Sequence, residues 1–325
     1  MDSTQPLYPL RFQPILRRYL WGGRRLGETL GKQIGPEADY AESWEIVDRE
    51  VERSVVANGP FQGKTLCEVI AASLRDFYGA DAPKGAFPLL FKFLDAQRNL
   101  SVQVHPNDEQ GKLLPKPDLG KTEAWIVMQA DPGAKLYAGL KRGFDRHAFE
   151  RELNRGTVEL CLHAFEPKVG DCIFIPAGAV HALGAGLVIA EIQQNSDTTF
   201  RVYDWNRVGA DGKGRPLHIA ESMATIDFNR GPISAVTPTP TTRAFAERLV
   251  ACDKFVLERL QMTKPERLAT DDKMHLIVVL QGEVAFSGEN STSIKKGEVC
   301  LLPARPGHYD AVPGAETVLL DIWLP

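Results

Sequence analysis

The stretch "GDCIFIPAGAVH", residues 170–181, decides the fold because it occurs twice. At 297–308 the chain reads "GEVCLLPARPGH". Both are glycine, five residues, proline, four residues, histidine. Each opens on an apolar, β-branched run bounded by Gly and Pro, the pattern of a short strand feeding a turn. A second pair stands upstream in the same order, "EAWIVMQA" at 123–130 and "HLIVVLQG" at 275–282. Two matched segments in one order predict a duplicated β-barrel unit.

Outward from these repeats the chain is mainly strand and turn, with few helices. "LLFKFLDA" (89–96) suits a buried strand, and "GLVIAEIQQ" (186–194) another. Helices are predicted over 65–77, where Thr65 and Glu68 form a capping box, over 145–156 between Asp145 and Gly156, and over 216–228. "GPISAVTPTPTTR" (231–243) holds three prolines and four threonines and reads as a connector. The predicted organisation is a larger unit over 1–230, the connector, and a second barrel over 244–325.

The 325 residues are ordinary for a globular protein: 43% hydrophobic, 25% charged, net charge −4. That balance speaks against a nucleic-acid partner, and no apolar run is long enough to span a bilayer. The N-terminus lacks the pattern of a secretion signal, and the five cysteines form no C-x-x-C pair. A cytoplasmic location is therefore expected, with oligomeric state left open.

In "LSVQVHPND" (100–108) Ser101, Gln103 and His105 alternate with Leu100, Val102 and Val104, so a strand here has one polar face. His105, Glu123 and His181 each fall at a strand edge or strand–turn junction. Two imidazoles and a carboxylate are an open catalytic zinc set, leaving a position for water or substrate. Gln103 offers a fourth oxygen. The residue types equally allow three hydrogen-bonded structural side chains. His308 repeats the place of His181, but its unit has no strand like "VQVH", and His275 stands where Glu123 would be. The second barrel is thus expected to be structural and without metal.

The Gly170–His181 turn following an earlier ligand strand resembles the cupin double motif, here with Gln-x-His in place of His-x-His. "FPLLFKFLDAQRNLSVQVHPND", "GKTEAWIVM", "IPAGAVHAL" and "AEIQQNSDTTFRVYDWNR" together are similar to the type I phosphomannose isomerase family in its compact form. The likeness begins near "YLWGGRRLG" and runs to about residue 230. It implies two cupin (jelly-roll) barrels and interconversion of mannose 6-phosphate and fructose 6-phosphate. It implies one zinc ion per chain on Gln103, His105, Glu123 and His181, a catalytic Arg201, and pocket lysines at Lys92 and Lys121. Ser101 and Arg207 match positions near the sugar phosphate.

A proton must move between C2 and C1, which calls for a base with reach and a suitable pKa. Glu191, on the strand after His181, is one candidate; Lys92, Asp204 and a metal-bound water are others. A buried Glu191 instead serves equally well to orient a cation. Arg201 cannot give up its proton and is assigned to charge stabilisation. Trp21 and Trp44 are candidates for the sugar groove. Two rival readings use the same residues: a non-haem iron oxygenase, since two His and one carboxylate also hold iron(II), and a phosphosugar-binding cupin without turnover.

Overall fold

A computed structural model describes residues 6–208, 212–288 and 290–325. Its strands form four antiparallel sheets, a six- and a five-stranded one from the first part of the chain and a six- and a four-stranded one from the second. In the first six-stranded sheet the order is Ile15–Gly23, Tyr40–Ile46, Leu89–Ala96, Leu187–Gln194, Glu123–Ala130, Cys172–Ile175. The second repeats that order with Thr239–Pro240, Ala246–Ala251, Val256–Met262, Thr317–Trp323, His275–Gln281, Val299–Leu302. The expected mainly-β architecture of two cupin barrels is what the chain adopts.

The two large sheets share one core. Phe91, Phe93, Ile126, Val188 and Ile192 of the first pack in the same apolar cluster as Leu257, Leu276, Val278, Leu320 and Ile322 of the second. Each large sheet therefore has both faces covered, one by its twin and one by its own smaller sheet. This is why Leu89–Ala96 is buried at every position and reads as a nearly unbroken apolar run. The N-terminal segment spans both parts, with Leu10 and Leu301 exchanging backbone hydrogen bonds of 2.8 and 2.9 Å.

Three of the α-helices among the described residues begin on side-chain caps. Thr65 and Glu68 form the capping box of Leu66–Ala72. The predicted helix does not run unbroken to Phe77: Ser73 leaves helical geometry and a second short helix, Leu74–Tyr78, begins. Arg146–Arg155 starts on Asp145 and stops at Gly156, whose φ of 71° suits glycine. The third helix is shorter than predicted, Ile219–Thr225. Two α-helices were not predicted: Arg25–Glu28, and Asp108–Lys112, the latter held by a reciprocal Asn107–Gln110 box. Only Gly111 of the latter is buried, so it leaves no apolar periodicity to read. None of the helices among the described residues is long and apolar enough to cross a membrane.

Candidate metal centre and substrate cavity

Strand register builds the site in two walls. In the smaller sheet of the first barrel, Arg201 lies opposite Gln103, and Gln103 opposite His181. In the large sheet, Trp44, Lys92, Glu191 and Trp125 form one row across four strands. Neighbours in such a row share a face, so each row presents its side chains together. All but His181 line a cavity of about 320 Å³, with Ser101, Lys121, Tyr19, Trp21, Glu42 and Arg215 among the others.

Behind this lining His105, Glu123 and His181 converge, all buried, their ligand atoms within 4.8 Å of one another. Glu123 Oε1 is 3.3 Å from His181 Nε2 and Oε2 is 3.6 Å from His105 Nε2. The tautomers follow from the outer ring nitrogens. His105 Nδ1 donates to Thr198 O at 3.0 Å, and His181 Nδ1 donates to Ala179 O at 2.9 Å. Each Nε2 then turns a lone pair inward. Burial reinforces this: it drives the His105 pKa well below its ordinary value and pulls His181 down to about 4. His105 Nε2 and both Glu123 oxygens are buried without a hydrogen-bond partner. Buried acceptor atoms from three groups turned toward one point are what a divalent cation satisfies, so these residues fit a metal. Gln103 reaches the same place, with Nε2 3.3 Å from His181 Nε2. Its carbonyl oxygen and amide nitrogen exchange places by a half-turn of the terminal torsion.

Around the centre runs a buried chain of charge. Lys121 Nζ is 3.2 Å from Glu123 Oε2, Lys92 Nζ is 3.2 Å from Glu191 Oε1, and Lys92 also faces Glu42 at 3.9 Å. Three carboxylates thus meet two ammonium groups, a balance that leaves room for added positive charge. Burial, opposed by Lys121, pushes the Glu123 carboxyl up to about 7. Burial also resists charge on Glu191, but Lys92 and Lys121 outweigh it and hold that carboxyl below its ordinary range. Lys92 is desolvated as well, yet Glu191 and Glu42 raise its pKa above the usual lysine value. Glu191 therefore stands ionised beside a protonated Lys92.

The remaining predicted residues fall as follows. Ser101 is buried on the cavity wall. Arg201 donates from Nη1 to Pro216 O at 2.9 Å, while its Nε is buried without a partner. Arg207 does not line this cavity. It lies in an adjoining groove, donating to Asn99 O at 2.7 Å and to the Asp204 carboxylate. Residues not singled out from sequence also line the wall: Tyr19, Glu42, Trp125, Asp197, Thr199 and Arg215. For Glu42 and Trp125 the signal was available, since each is two residues from a named candidate on the same strand.

The second barrel carries the same row with its charges changed. By register Arg248, Glu258, Asp321, Ile277 and Cys300 stand where Trp44, Lys92, Glu191, Trp125 and Ile173 stand in the first. His275, opposite Leu302, replaces Glu123, opposite Ile175. Its ring is held by Asp321 at 2.5 Å and Asp271 at 2.8 Å. Arg243 bridges Glu258 and Asp321. Here the protein's own cations meet the acids. His308 is exposed, in a surface groove with Tyr8, Pro9 and Asp310.

Residues 10–133 match the family model for the catalytic domain of type I phosphomannose isomerase. The mannose-6-phosphate isomerase ManA of Bacillus subtilis is 33% identical over 319 residues, covering 98% of this chain and 99% of that protein. A mannose-6-phosphate isomerase of Streptococcus mutans is 34% identical over 298 residues, 91% of this chain and 92% of its own. A crystal structure of the Bacillus subtilis mannose 6-phosphate isomerase superposes with a TM-score of 0.87 at 28% identity, covering 97% of this chain and 99% of the other. With relatives of this kind along nearly its whole length, the chain belongs to the type I phosphomannose isomerases.

Proposed function

We propose that this protein interconverts mannose 6-phosphate and fructose 6-phosphate, as a zinc-dependent aldose–ketose isomerase. The observation that carries the reading is the convergence of His105, Glu123 and His181 lone pairs directly behind a cavity walled by ammonium and guanidinium groups, in contact with its lining residues Lys121 and Gln103. His105, Glu123 and His181, with Gln103 as a fourth oxygen donor, would hold one zinc ion per chain. Bound there, zinc supplies Lewis acidity toward the oxygens of the open-chain sugar.

The chain's own groups divide the remaining work. The reaction takes a proton from C2 and returns one to C1, and the hydroxyl proton passes from O2 to O1, so that the C1 aldehyde becomes an alcohol and the C2 alcohol a ketone. Glu191 is ionised and buried on the wall, so we assign it the proton acceptor's role. Lys92, kept charged beside it, keeps that carboxylate ionised and supplies an N–H donor. Lys121 and Arg201 face oxygens where negative charge develops in the enediol, and burial strengthens both. Ser101 and Arg207 are assigned to the phosphate end. The partner is a small phosphosugar rather than nucleic acid or membrane. The five cysteines are free thiols, in keeping with a reducing cytoplasm.

A linked-enzyme assay of mannose 6-phosphate conversion tests the reading. Chelation should abolish turnover, and zinc should restore it. Metal-dependent oxygen uptake without isomerisation would overturn it in favour of an oxygenase. Within the same assay, Arg201→Ala should lower kcat about 100- to 1,000-fold with metal content unchanged by elemental analysis. Parallel loss of metal would make Arg201 a structural residue.

A further inference from the structure

Two arginines gather on one carboxylate at the mouth of the cavity, with a third beside them. Asp204 receives Arg215 as a parallel fork, Nε to Oδ2 at 2.8 Å and Nη2 to Oδ1 at 2.6 Å. Arg207 Nη2 shares Oδ1, and Arg207 Nε donates to Asp204 O at 3.2 Å. Arg201 donates to the carbonyl of Pro216, the residue after Arg215. The Asp204 carboxylate thus serves two positive charges, and Arg201 adds a third on the cavity wall, where Asp197 also stands. An excess of fixed cations beside a water-filled mouth calls for an anion.

The three are not equivalent. Arg207 directs donors to Asp204 and Asn99 and lies outside the inner cavity. Arg215 lines both the inner cavity and the outer groove of about 710 Å³, so it stands at the passage between them. Its fork to Asp204 uses Nε and Nη2 and leaves Nη1 without a partner among the described residues. The inner cavity also carries Ser101 and the unpaired Nε of Arg201. A six-carbon sugar with C1 and C2 turned toward the triad would extend its phosphate toward this mouth.

We propose that Arg215 is the specificity residue for the substrate's phosphate, with Asp204 as a positioning residue that fixes the guanidinium plane. This rests on the isomerase reading and names the group that recognises the dianion. A guanidinium held by a carboxylate on one edge presents its other edge in a set direction, which suits a tetrahedral anion.

The test compares wild type, Arg215→Ala and Arg215→Lys in the zinc-loaded protein. The probes are mannose 6-phosphate as substrate and inorganic phosphate as competitive inhibitor. Arg215→Ala should raise KM for mannose 6-phosphate and Ki for inorganic phosphate together, each about 10- to 100-fold, with a smaller change in kcat. Arg215→Lys keeps the charge but loses the fork and should recover only part of that loss. Asp204→Asn should shift KM and Ki in the same direction by a smaller factor. KM and Ki within twofold of wild type in both Arg215 variants would overturn the proposal, as would a fall in kcat with Ki unchanged. A second readout, independent of turnover, is the rise in melting temperature caused by inorganic phosphate. It should be present in wild type and absent in Arg215→Ala. If wild type shows that rise but does not isomerise mannose 6-phosphate, the isomerase reading fails while the anion site stands. If Arg215→Ala does not fold, Arg215→Lys carries the test alone: an unchanged Ki there overturns the proposal.

Discussion

Glu123→Gln should remove the metal and, with it, more than about 1,000-fold of the turnover. Glutamine has nearly the shape of glutamate, so the buried strand Glu123–Ala130 keeps its packing. What changes is charge. Glu123 supplies the only carboxylate in the triad, its Oε1 is buried without a donor, and Oε2 faces only Lys121, so it is free to ligate. An amide in that place is a neutral and weaker ligand, and its NH2 group can turn toward the lone pairs of His105 and His181 and satisfy them without any ion. Lys121, 3.2 Å away and almost fully buried, loses its counter-charge at the same time. It then adds repulsion against a divalent cation. Metal content by elemental analysis should fall well below one per chain, while the far-ultraviolet circular dichroism of the β-sheets stays as in wild type. Full metal occupancy in the variant would show that Glu123 is not a ligand.

The legible parts of this protein are those written in short range. The strand "EAWIVMQA" and the turn "IPAGAVH" announce themselves through β-branched residues and Gly–Pro punctuation, and the structure places Glu123 and His181 at the ends of strands that begin at those residues. The triad was readable because its residue types are few and each stands at a strand junction. The charge chain was not. Lys92 and Glu191 are partners only because Leu89–Ala96 and Leu187–Gln194 pair in one register. Nothing near either residue states that register, and a shift of one would turn both side chains to the other face. Arg215 was hidden for a different reason. It follows a polar glycine-containing loop, where an arginine reads as solvated surface, and only the folded chain brings it to Asp204. The charge replacement in the second barrel was half visible: the sequence put His275 in the place of Glu123, but Asp321 and Glu258 needed the sheet order.

That second barrel gives the largest expected effect on stability. Asp321→Asn should destabilise the protein by about 3–5 kcal/mol, the usual cost of removing one partner from a buried ion network. Asp321 is fully buried between His275 Nδ1 and Arg243 Nη2, at 2.5 and 3.0 Å. Its loss leaves an imidazolium and a guanidinium facing each other, with Asp271 and Glu258 as the remaining acids. The pH dependence identifies the cause. Burial opposes charge on His275, but Asp321 and Asp271 overcome it and raise the pKa to about 9 from an ordinary 6.5. A raised folded-state pKa means the native protein binds the proton more tightly than the unfolded chain. The stabilisation is therefore complete below about pH 6.5 and is lost as pH rises through 9, a change on the order of 3 kcal/mol. Denaturant unfolding of wild type at pH 6 and pH 9.5 should show that decline. In Asp321→Asn the histidine falls back toward its ordinary value, so stability should vary much less over the same window, and metal content should match wild type. An equal decline in both proteins would mean that some other group governs the pH response. A small loss at pH 6 would mean that the network's desolvation cost nearly cancels its attraction, as it does for many buried ion pairs.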